Sequence, residues 1–391
     1  MKVLSSFCFG LSALSLAQSG HGAPRQGTGF NPNVNDWEIS GAMLSVPRSR
    51  IAGAAAGSKA IFAGGYLDND TYVDTVDIYD RTTGQWSTDK LPTVRSEIGS
   101  GSFGGRYALF AGGMDSNFAP LSIVDVYDTQ TGKWSQFNLT VPRGAPRIVD
   151  LGDRAAIVGG LSGDLNYLSK TIDFVDLNFR VTSMEQPVFR PQFGLPMSDP
   201  NTGFGIVTSN YQNNDPGNRF NDFQGSPQTT LFNVVSNSVN VTRGADFPSP
   251  RFSVGGAGTN GIFAVGGGQV FGQDDSSDDS GPSARVDLFC QDRLEWCGTL
   301  QLAEPRTFPN SHQLGGRYVV FAGGDGSKVF DVLDTNTRQW VSHSPNIQLH
   351  TLRTGATSVS IDGCVILVGG GLVYQGANST ASVEIFNACT A

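Results

Sequence analysis

An arginine, often shortly after a proline, recurs along the chain, and each copy stands just before a run of small or apolar residues. The series has seven members: Arg50, Arg95, Arg147, Arg190, Arg251, Arg306 and Arg353. A guanidinium group is a planar fork of N–H donors that binds a carboxylate, sulfate or phosphate at two atoms at once. If folding brings the series together, its summed field attracts anions. The series therefore predicts a site for an anionic ligand, although the chain has a formal net charge of −9.

The histidines offer little catalytic chemistry. They are His21, His312, His343 and His350, and they are scattered along the sequence. His350 lies three residues before Arg353 and is a candidate acid or base, although a lone loop histidine is more often only solvated. No glycine-rich phosphate loop and no serine-nucleophile motif with a following helix is supported by the sequence.

One acidic cluster is a candidate for calcium. It comprises Asp274, Asp275, Asp278 and Asp279. Carboxylate oxygens are the ligands that Ca²⁺ prefers, but the cluster lacks the spacing of a calcium loop, and a charge run in a loop is usually solvated. We therefore expect no bound metal and no cofactor.

Composition and the N-terminus point to an exported protein. The net charge of −9 excludes a general attraction to nucleic acid or anionic membranes. Met1 and Lys2 precede a mostly apolar run from Val3 to Leu16, and the small residues Ser15 and Ala17 stand at positions −3 and −1 of a cleavage point before Gln18. We predict a signal peptide over 1–17, the alternative being a buried N-terminal strand, and a flexible segment over 18–34. No later run is long enough to span a membrane.

Cysteines and glycosylation motifs agree with export. Cys8 would leave with the signal peptide, and an even number of cysteines remains, which suits disulfides. These four are Cys290, Cys297, Cys364 and Cys389. The Asn-x-Ser/Thr motifs are at Asn69, Asn138, Asn240 and Asn378. We expect a secreted, extracellular glycoprotein.

A repeat organises the chain and must position the arginines. Apolar runs that end in a glycine pair recur; the pairs end at Gly65, Gly113, Gly160, Gly267, Gly324 and Gly370. The gap between Gly160 and Gly267 fits two repeats, and "GFGIVTSN" at 203–210 is a degenerate member, so the repeats number seven. The high glycine content, 50 residues, favours turns over long helices.

Each regular repeat also contains an aromatic pair. After the glycine pair come a variable loop, an alternating strand such as "DTVDIYD" at 74–80, and a tryptophan seven residues beyond a large side chain. The pairs are Tyr79 with Trp86, Tyr127 with Trp134, Phe289 with Trp296, and Leu333 with Trp340. Short alternating strands with Gly, Asp and Asn turns predict antiparallel meanders, which cannot bury both faces alone and must stack.

The glycine pair, the Tyr or Phe after it and the spaced tryptophan resemble the kelch repeat over nearly all of the mature chain. The resemblance implies an all-β, seven-bladed kelch β-propeller over 35–391, with a six-bladed ring as the alternative. Repeat seven ends before its tryptophan strand, and "NDWEIS" at 35–40 holds the remaining Trp37. We expect this N-terminal strand to complete the last blade, the alternative being a loose tail.

The cysteines fit such a meander. Cys364 begins a second strand and Cys389 ends the third strand beside it, so the two should pair. Cys290 and Cys297 flank the hairpin between a third and a fourth strand and should pair likewise. A metal site is the rival interpretation, but no histidine cluster accompanies these cysteines.

The propeller geometry places the arginine series at one end of the ring. Loops from strand two to three, and from strand four to the next strand one, emerge on one face, which also holds the long insertions 208–228 and 269–284. The arginines precede the innermost strands on that face and are expected to ring the mouth of the central channel. Kelch repeats often carry an arginine here for packing or turn hydrogen bonds, which is the structural alternative.

A local resemblance favours a binding role. "SVPRSRIAG" at 45–53 resembles a segment of the cytosolic kelch adaptor that captures acidic peptides, and its second arginine, the one that contacts acidic groups, corresponds to Arg50. The adaptor's dimerisation and ligase-recruiting regions have no counterpart, so only the mode of anion capture carries over.

Enzymatic relatives of this fold match less well. The copper-radical oxidases related to galactose oxidase need histidines and a tyrosine cross-linked to a cysteine, which the scattered histidines do not supply. The kelch specifier proteins need a Glu-x-x-x-Asp-x-x-x-His pattern, which does not occur. We expect a monomeric protein, not an enzyme, that binds an anionic glycan or an acidic protein segment. The alternatives are a kelch-fold enzyme acting on a carbohydrate or small metabolite, and a structural wall or matrix protein.

Overall fold

Seven four-stranded antiparallel sheets stand around a common axis in the structure, which is a computed structural model. It describes residues 29–390 apart from 70, 163–166, 186–194, 209–227, 236–237, 271–280, 326 and 374–377. Each sheet is one blade of a β-propeller. The inner strands contact one another in a closed cycle, the last against the first. The predicted seven-bladed, all-β fold is confirmed.

The strands of the blades follow one order, from the axis to the rim. The inner strands of blades 1 to 7 are Ala52–Ala56, Gly99–Phe103, Arg147–Asp150, Leu195–Asp199, Gly255–Thr259, Asn310–Leu314 and Thr357–Ile361. The second strands are Lys59–Ala63, Tyr107–Ala111, Arg154–Val158, Phe204–Thr208, Ile262–Gly266, Tyr318–Gly324 and Val365–Gly369. The third strands are Thr75–Asp80, Ile123–Asp128, Thr171–Asp176, Thr229–Val235, Arg285–Cys290, Ser327–Asp334 and Ser382–Asn387. The outer strands are Gln85–Lys90, Lys133–Asn138, Val181–Glu185, Ser238–Arg243, Glu295–Gln301, Gln339–Gln348 and Glu38–Met43.

Burial follows this order. The inner and second strands are almost entirely buried, since their side chains pack between neighbouring blades, whereas the outer strands are mostly exposed. The core is therefore a set of inter-blade layers and not one central mass. Small residues such as Ala54 and Gly53 in the inner strand of blade 1 allow seven strands to meet near the axis.

The N-terminal strand closes the ring as predicted. Glu38–Met43 pairs antiparallel with Ser382–Asn387, so the two ends of the chain share blade 7. A three-residue 3₁₀ helix, Val34–Asp36, precedes this strand. Phe30 forms a backbone bridge with Cys389, and Trp37 packs edge-on against Phe330 of blade 6. Closure of this kind pairs the edge of the third strand of blade 7, which would otherwise be open.

Both predicted disulfides are present. Cys364–Cys389 joins the second and third strands of blade 7 across a separation of 25 residues. Cys290–Cys297 joins the third and fourth strands of blade 5 across 7 residues. The first bond fixes the C-terminus beside the strand that the N-terminus supplies.

Glycine is required at the repeated glycine pairs for a conformational and for a steric reason. Gly112 and Gly113, at φ of 58° and 111°, turn the chain out of the second strand of blade 2. A Cβ on Gly113 would lie 2.7 Å from the carbonyl oxygen of Ser96. The same close approach recurs at the second glycine of the other pairs, for example 2.4 Å from Ser49 O at Gly65. Only glycine fits a left-handed residue against a neighbouring backbone.

The aromatic spacing is explained by cross-strand pairing on the third and outer strands. Tyr79 lies opposite Trp86, and Tyr127 opposite Trp134, with ring centroids 5.2 and 5.0 Å apart. The Trp134 indole also donates to the Asp89 carboxylate of blade 1, 2.8 Å away. Each pair thus covers the rim of its blade.

Blade 4 is a complete sheet although its sequence is degenerate. Its four strands pair in the same order as the others. Two short two-stranded pairs lie in the loops after the second strands, Leu161–Ser162 with Tyr167–Leu168 and Gln269–Val270 with Gly281–Pro282; in a third, Leu372–Val373 pairs with Arg353–Thr354 from the loop before the inner strand of blade 7. The insertions 208–228 and 269–284 lie mostly outside the described residues, as do Arg190 and the acidic cluster at 274–279.

Candidate functional site

Six blades share a buried ion pair beside the axis. In each, an arginine before the inner strand pairs with an acidic residue of the third strand. The pairs are Arg48–Asp77, Arg95–Asp125, Arg143–Asp173, Arg251–Asp287, Arg306–Asp331 and Arg353–Glu384. In blade 4, Thr230 occupies the position of the acid. Burial lowers the pKa of each arginine, with its acidic partner opposing the shift.

These arginines fasten loops to strands. Arg95 donates to the carbonyl oxygens of Gly112 at 2.8 Å and Phe110 at 2.9 Å, and to the Asp125 carboxylate at 2.5 Å. One side chain therefore joins the loop before the inner strand, the first glycine of the pair and the third strand. A buried arginine needs this number of acceptors because an unsatisfied buried charge is costly.

The structure places only part of the predicted arginine series at the mouth. Arg95, Arg251, Arg306 and Arg353 are buried in the ion pairs above and do not present their guanidinium groups to a ligand there. In blades 1 and 3 the ion-paired arginines are Arg48 and Arg143. Arg50 and Arg147 are therefore second arginines in the loops of blades 1 and 3. The predicted series of seven treated them as equivalent to the ion-paired arginines of the other blades. The acidic residue that recurs once per third strand, as in "TVDIYD", is the sequence signal that such a blade contains a buried ion pair.

A left-handed residue follows each ion-paired arginine by two positions. These residues are Arg50, Glu97, Ala145, Ser253, Phe308 and Gly355, with φ between 49° and 64°. The turn directs the chain into the inner strand, so these residues stand at the end of the propeller where the second strands end and the third strands begin. We call this end the mouth. In blades 1 and 2 the position is charged, Arg50 and Glu97. Non-glycine residues in this conformation are uncommon and often mark functional sites.

Three charged side chains from three blades meet at the mouth. Arg50 Nη1 lies 2.7 Å from Glu97 Oε1 and 2.7 Å from the Tyr66 hydroxyl, and its guanidinium stacks over the Tyr66 ring, 4.8 Å from the centroid. Arg147, at the start of the inner strand of blade 3, interacts electrostatically with Glu97. We call Arg50, Glu97 and Arg147 the mouth cluster. Sequence reasoning found both arginines but missed Glu97, the residue that joins them.

The mouth cluster is nearly desolvated. The side chains of Arg50 and Glu97 are 9% and 12% exposed, and Arg147 is 7% exposed. Burial raises the pKa of Glu97, against the opposing charge of Arg50 and then Arg147. Burial lowers the pKa of Arg147 to about 10, against the charge of Glu97. Arg147 therefore stays protonated at neutral pH, and two cations share one carboxyl group.

The histidines lie apart from the mouth cluster. His350 is 72% exposed, with Nδ1 3.1 Å from a Glu384 oxygen. His343 lies 2.9 Å from Asp331 and stacks on Trp340. His312 is buried in the inner strand of blade 6, with Nε2 2.8 Å from Ser358 Oγ. Among the described residues, no group of three His, Cys, Asp or Glu side chains is placed to hold a metal ion.

All four glycosylation motifs have an exposed asparagine. Asn69 and Asn378 lie in adjacent loops of blades 1 and 7, where the Ser379 amide donates to the Asp68 carboxylate at 2.8 Å. No helix among the described residues is long and apolar enough to cross a membrane.

Comparison with known proteins identifies the fold and no more. No protein-family model matches the sequence, and no curated protein is significantly similar to it. The chain is similar to the solved structure described as "Structure of YjhT", with a TM-score of 0.55, 13% identity, and coverage of 76% of this chain and 98% of that one. At this identity the likeness supports a shared β-propeller architecture. Because one fold hosts unrelated functions, the site must carry the functional argument.

Proposed function

We propose that this chain is a secreted kelch propeller that binds an extracellular anionic partner, an acidic glycan or an acidic protein segment, at the mouth cluster. The observation that carries the proposal is the convergence of Arg50 and Arg147, from blades 1 and 3, on the single carboxyl group of Glu97 from blade 2. Kelch membership is supported by the repeat and its glycine and tryptophan positions. Export is supported by the two disulfides.

The mouth cluster differs from the structural ion pairs in the blades that it joins. Each structural arginine pairs with an acidic residue of its own blade, and in blade 5 Asp287 also pairs with the partly exposed Arg285. The mouth cluster instead brings two cations and one carboxyl group together from three blades, with little exposure to water. Buried charges are stabilised by opposite charge and by hydrogen bonds. A ligand carboxylate, sulfate or phosphate beside the two guanidinium groups would supply both.

The test measures binding of two anionic probes, oligogalacturonate and a glutamate-rich peptide, by isothermal titration calorimetry at low and high salt. Arg50→Gln and Arg147→Gln remove one charge each with an unbranched polar replacement. Arg154→Gln is the matched control, because Arg154 is also an ion-paired arginine but begins the second strand of blade 3, at the opposite face.

We expect at least one probe to bind, more weakly at high salt, and to lose about tenfold in affinity in each mouth variant and not in the control. Equal affinity of the native protein and both mouth variants would overturn the proposal. Turnover of the bound sugar would support the alternative of an enzyme at the same mouth.

A further inference from the structure

A run of aromatic rings leads outward from the mouth cluster. Tyr66 carries the Arg50 guanidinium on its face, Tyr72 lies 5.1 Å from Tyr66, and Phe118 of blade 2 lies edge-on to Tyr72 at 6.4 Å. The two tyrosines are also joined by a backbone bridge. The rings form one continuous path from the buried charges to the outer surface of the loops.

The outermost ring, that of Phe118, is exposed to solvent, and the conformation of its loop fixes its position. Phe118 is 53% exposed and has a φ of 61°. The Asp115 carboxylate accepts the amides of Asn117 at 2.8 Å and Ala119 at 2.9 Å, and the Phe118 amide donates to Asp115 O at 3.0 Å. A left-handed phenylalanine costs on the order of 1 kcal/mol, which these hydrogen bonds offset. The loop thus presents an aromatic face in a fixed position.

The mouth cluster itself offers an acceptor as well as cations. Glu97 Oε2 is buried and has no hydrogen-bond partner among the described residues. An orphaned buried acceptor is costly, and a ligand hydroxyl that donates to it would remove the cost. The same carboxylate repels a second anionic group of the ligand. The cluster therefore suits a ligand that has one acidic group beside hydroxyl donors.

We infer that the ligand of this site is an acidic oligosaccharide of the uronic-acid type. Its carboxylate binds Arg50 and Arg147, a neighbouring hydroxyl donates to Glu97, and further sugar rings lie with their C–H faces against Tyr72 and Phe118. Pockets for small molecules combine aromatic walls with a few convergent polar groups in this way. The inference rests on the proposed function and selects the glycan over the acidic peptide, because a uronic-acid ring offers hydroxyl donors to Glu97 beside its carboxylate and C–H faces to the aromatic rings, whereas a glutamate-rich peptide has neither.

The test separates the charged and the aromatic parts of the site. Affinities for galacturonic acid, oligogalacturonate and a glutamate-rich peptide are measured for native protein, Phe118→Ala and Phe118→Trp. Leu294→Ala is the matched control: Leu294 is 51% exposed and left-handed, with a φ of 54°, but lies in a turn on the opposite face. Thermal melts check that all variants fold.

We expect Phe118→Ala to weaken oligogalacturonate binding about fivefold, while the monosaccharide is unaffected because it engages only the mouth cluster. Phe118→Trp should restore the affinity, and Leu294→Ala should change nothing. Peptide binding that depends on Arg50 and exceeds oligogalacturonate binding would overturn this inference and leave the proposed function intact. Equal affinity of native protein and Phe118→Ala for oligogalacturonate would also overturn this inference and leave the proposed function intact. No Arg50-dependent binding of any probe would overturn both.

Discussion

Arg95 and Asp125 form an ion pair with both side chains fully buried and the charged atoms 2.5 Å apart. The second Asp125 oxygen accepts from the Gln136 amide at 2.6 Å, so the carboxylate is bonded on both sides. The pair connects the loop that enters blade 2 to its third strand. Because the same connection recurs in six blades, it acts as a repeated internal fastening of the propeller.

Removal of one partner of this ion pair should strongly reduce the stability of the protein. Asp125→Ala leaves the Arg95 charge buried without its counter-ion, and we expect the free energy of unfolding to fall by about 3–5 kcal/mol. Urea unfolding followed by tryptophan fluorescence measures the change.

The control for this variant is Asp74→Ala. Asp74 pairs with Lys90 at 3.0 Å, but the Lys90 side chain is 76% exposed. We expect a loss below about 1 kcal/mol, because solvent screens the pair. A similar loss for Asp74 and Asp125 would contradict the fastening role.

The fold could be predicted well from the sequence because the contacts that shape each blade form mostly within one repeat. The second glycine of a pair, such as Gly113, is required by a backbone contact, and Trp86 is required by its cross-strand partner Tyr79. These requirements repeat in each regular blade, so the glycine pair and the spaced tryptophan recur along the sequence. The closing strand and both disulfides followed from the strand order of a meander, which repeats in every blade.

The candidate site was predicted only in part, because it depends on contacts between blades. Arg48 and Arg50 are two residues apart and both follow Pro47, yet one is fixed inside blade 1 and the other reaches Glu97 of blade 2. No spacing rule distinguishes them, since the difference arises at the left-handed turn that Arg50 itself occupies. Phe118 and Tyr72 come together in the same way, through the neighbouring positions of two loops.

The second glycine of each pair should tolerate no side chain. Gly113→Ala places a Cβ 2.7 Å from the Ser96 carbonyl oxygen at a φ of 111°. We expect a loss of more than about 2 kcal/mol, because the contact is with backbone and cannot relax by a rotamer change. Urea unfolding gives the value.

Gly84→Ala is the matched control for this steric effect. Gly84 is also left-handed, with a φ of 69°, but a Cβ there meets nothing within 4 Å. Its loss should be about 1 kcal/mol, the cost of the backbone conformation alone. Equal losses at Gly84 and Gly113 would show that the close approach to Ser96 has no energetic role.

The two disulfides should contribute unequally. Cys364–Cys389 closes 25 residues and Cys290–Cys297 closes 7. In the chain-entropy model the first is worth about 3.5 kcal/mol and the second about 2.4 kcal/mol, because a longer loop loses more freedom when closed. Paired Cys→Ser variants compared by urea unfolding measure both. A larger loss for the shorter loop would show that native contacts, rather than loop entropy, dominate.

Asp150 should make stability fall as the solution becomes alkaline. It is 2% exposed in the inner strand of blade 3, and burial raises its pKa to about 7, although the amides of Gly152 and Gly104 oppose the shift. The folded state therefore holds this proton more tightly than the unfolded chain. The stabilising effect is complete below pH 4 and is lost as the pH rises through about 7.

The range from pH 6.5 to 8 separates the effect of Asp150 from those of His312 and Asp325. Burial lowers the pKa of His312 to about 3, so its contribution changes only below its unfolded value of 6.5. Burial raises the pKa of Asp325 to about 6, so that group is mostly ionised across the range. In urea unfolding, native protein should lose stability from pH 6.5 to 8. Asp150→Asn, which keeps an acceptor oxygen but cannot ionise, should show a nearly flat profile. Asp153→Asn, an exposed carboxyl in the adjacent turn, should follow the native curve, and a slope that survives in Asp150→Asn would assign the effect to another group.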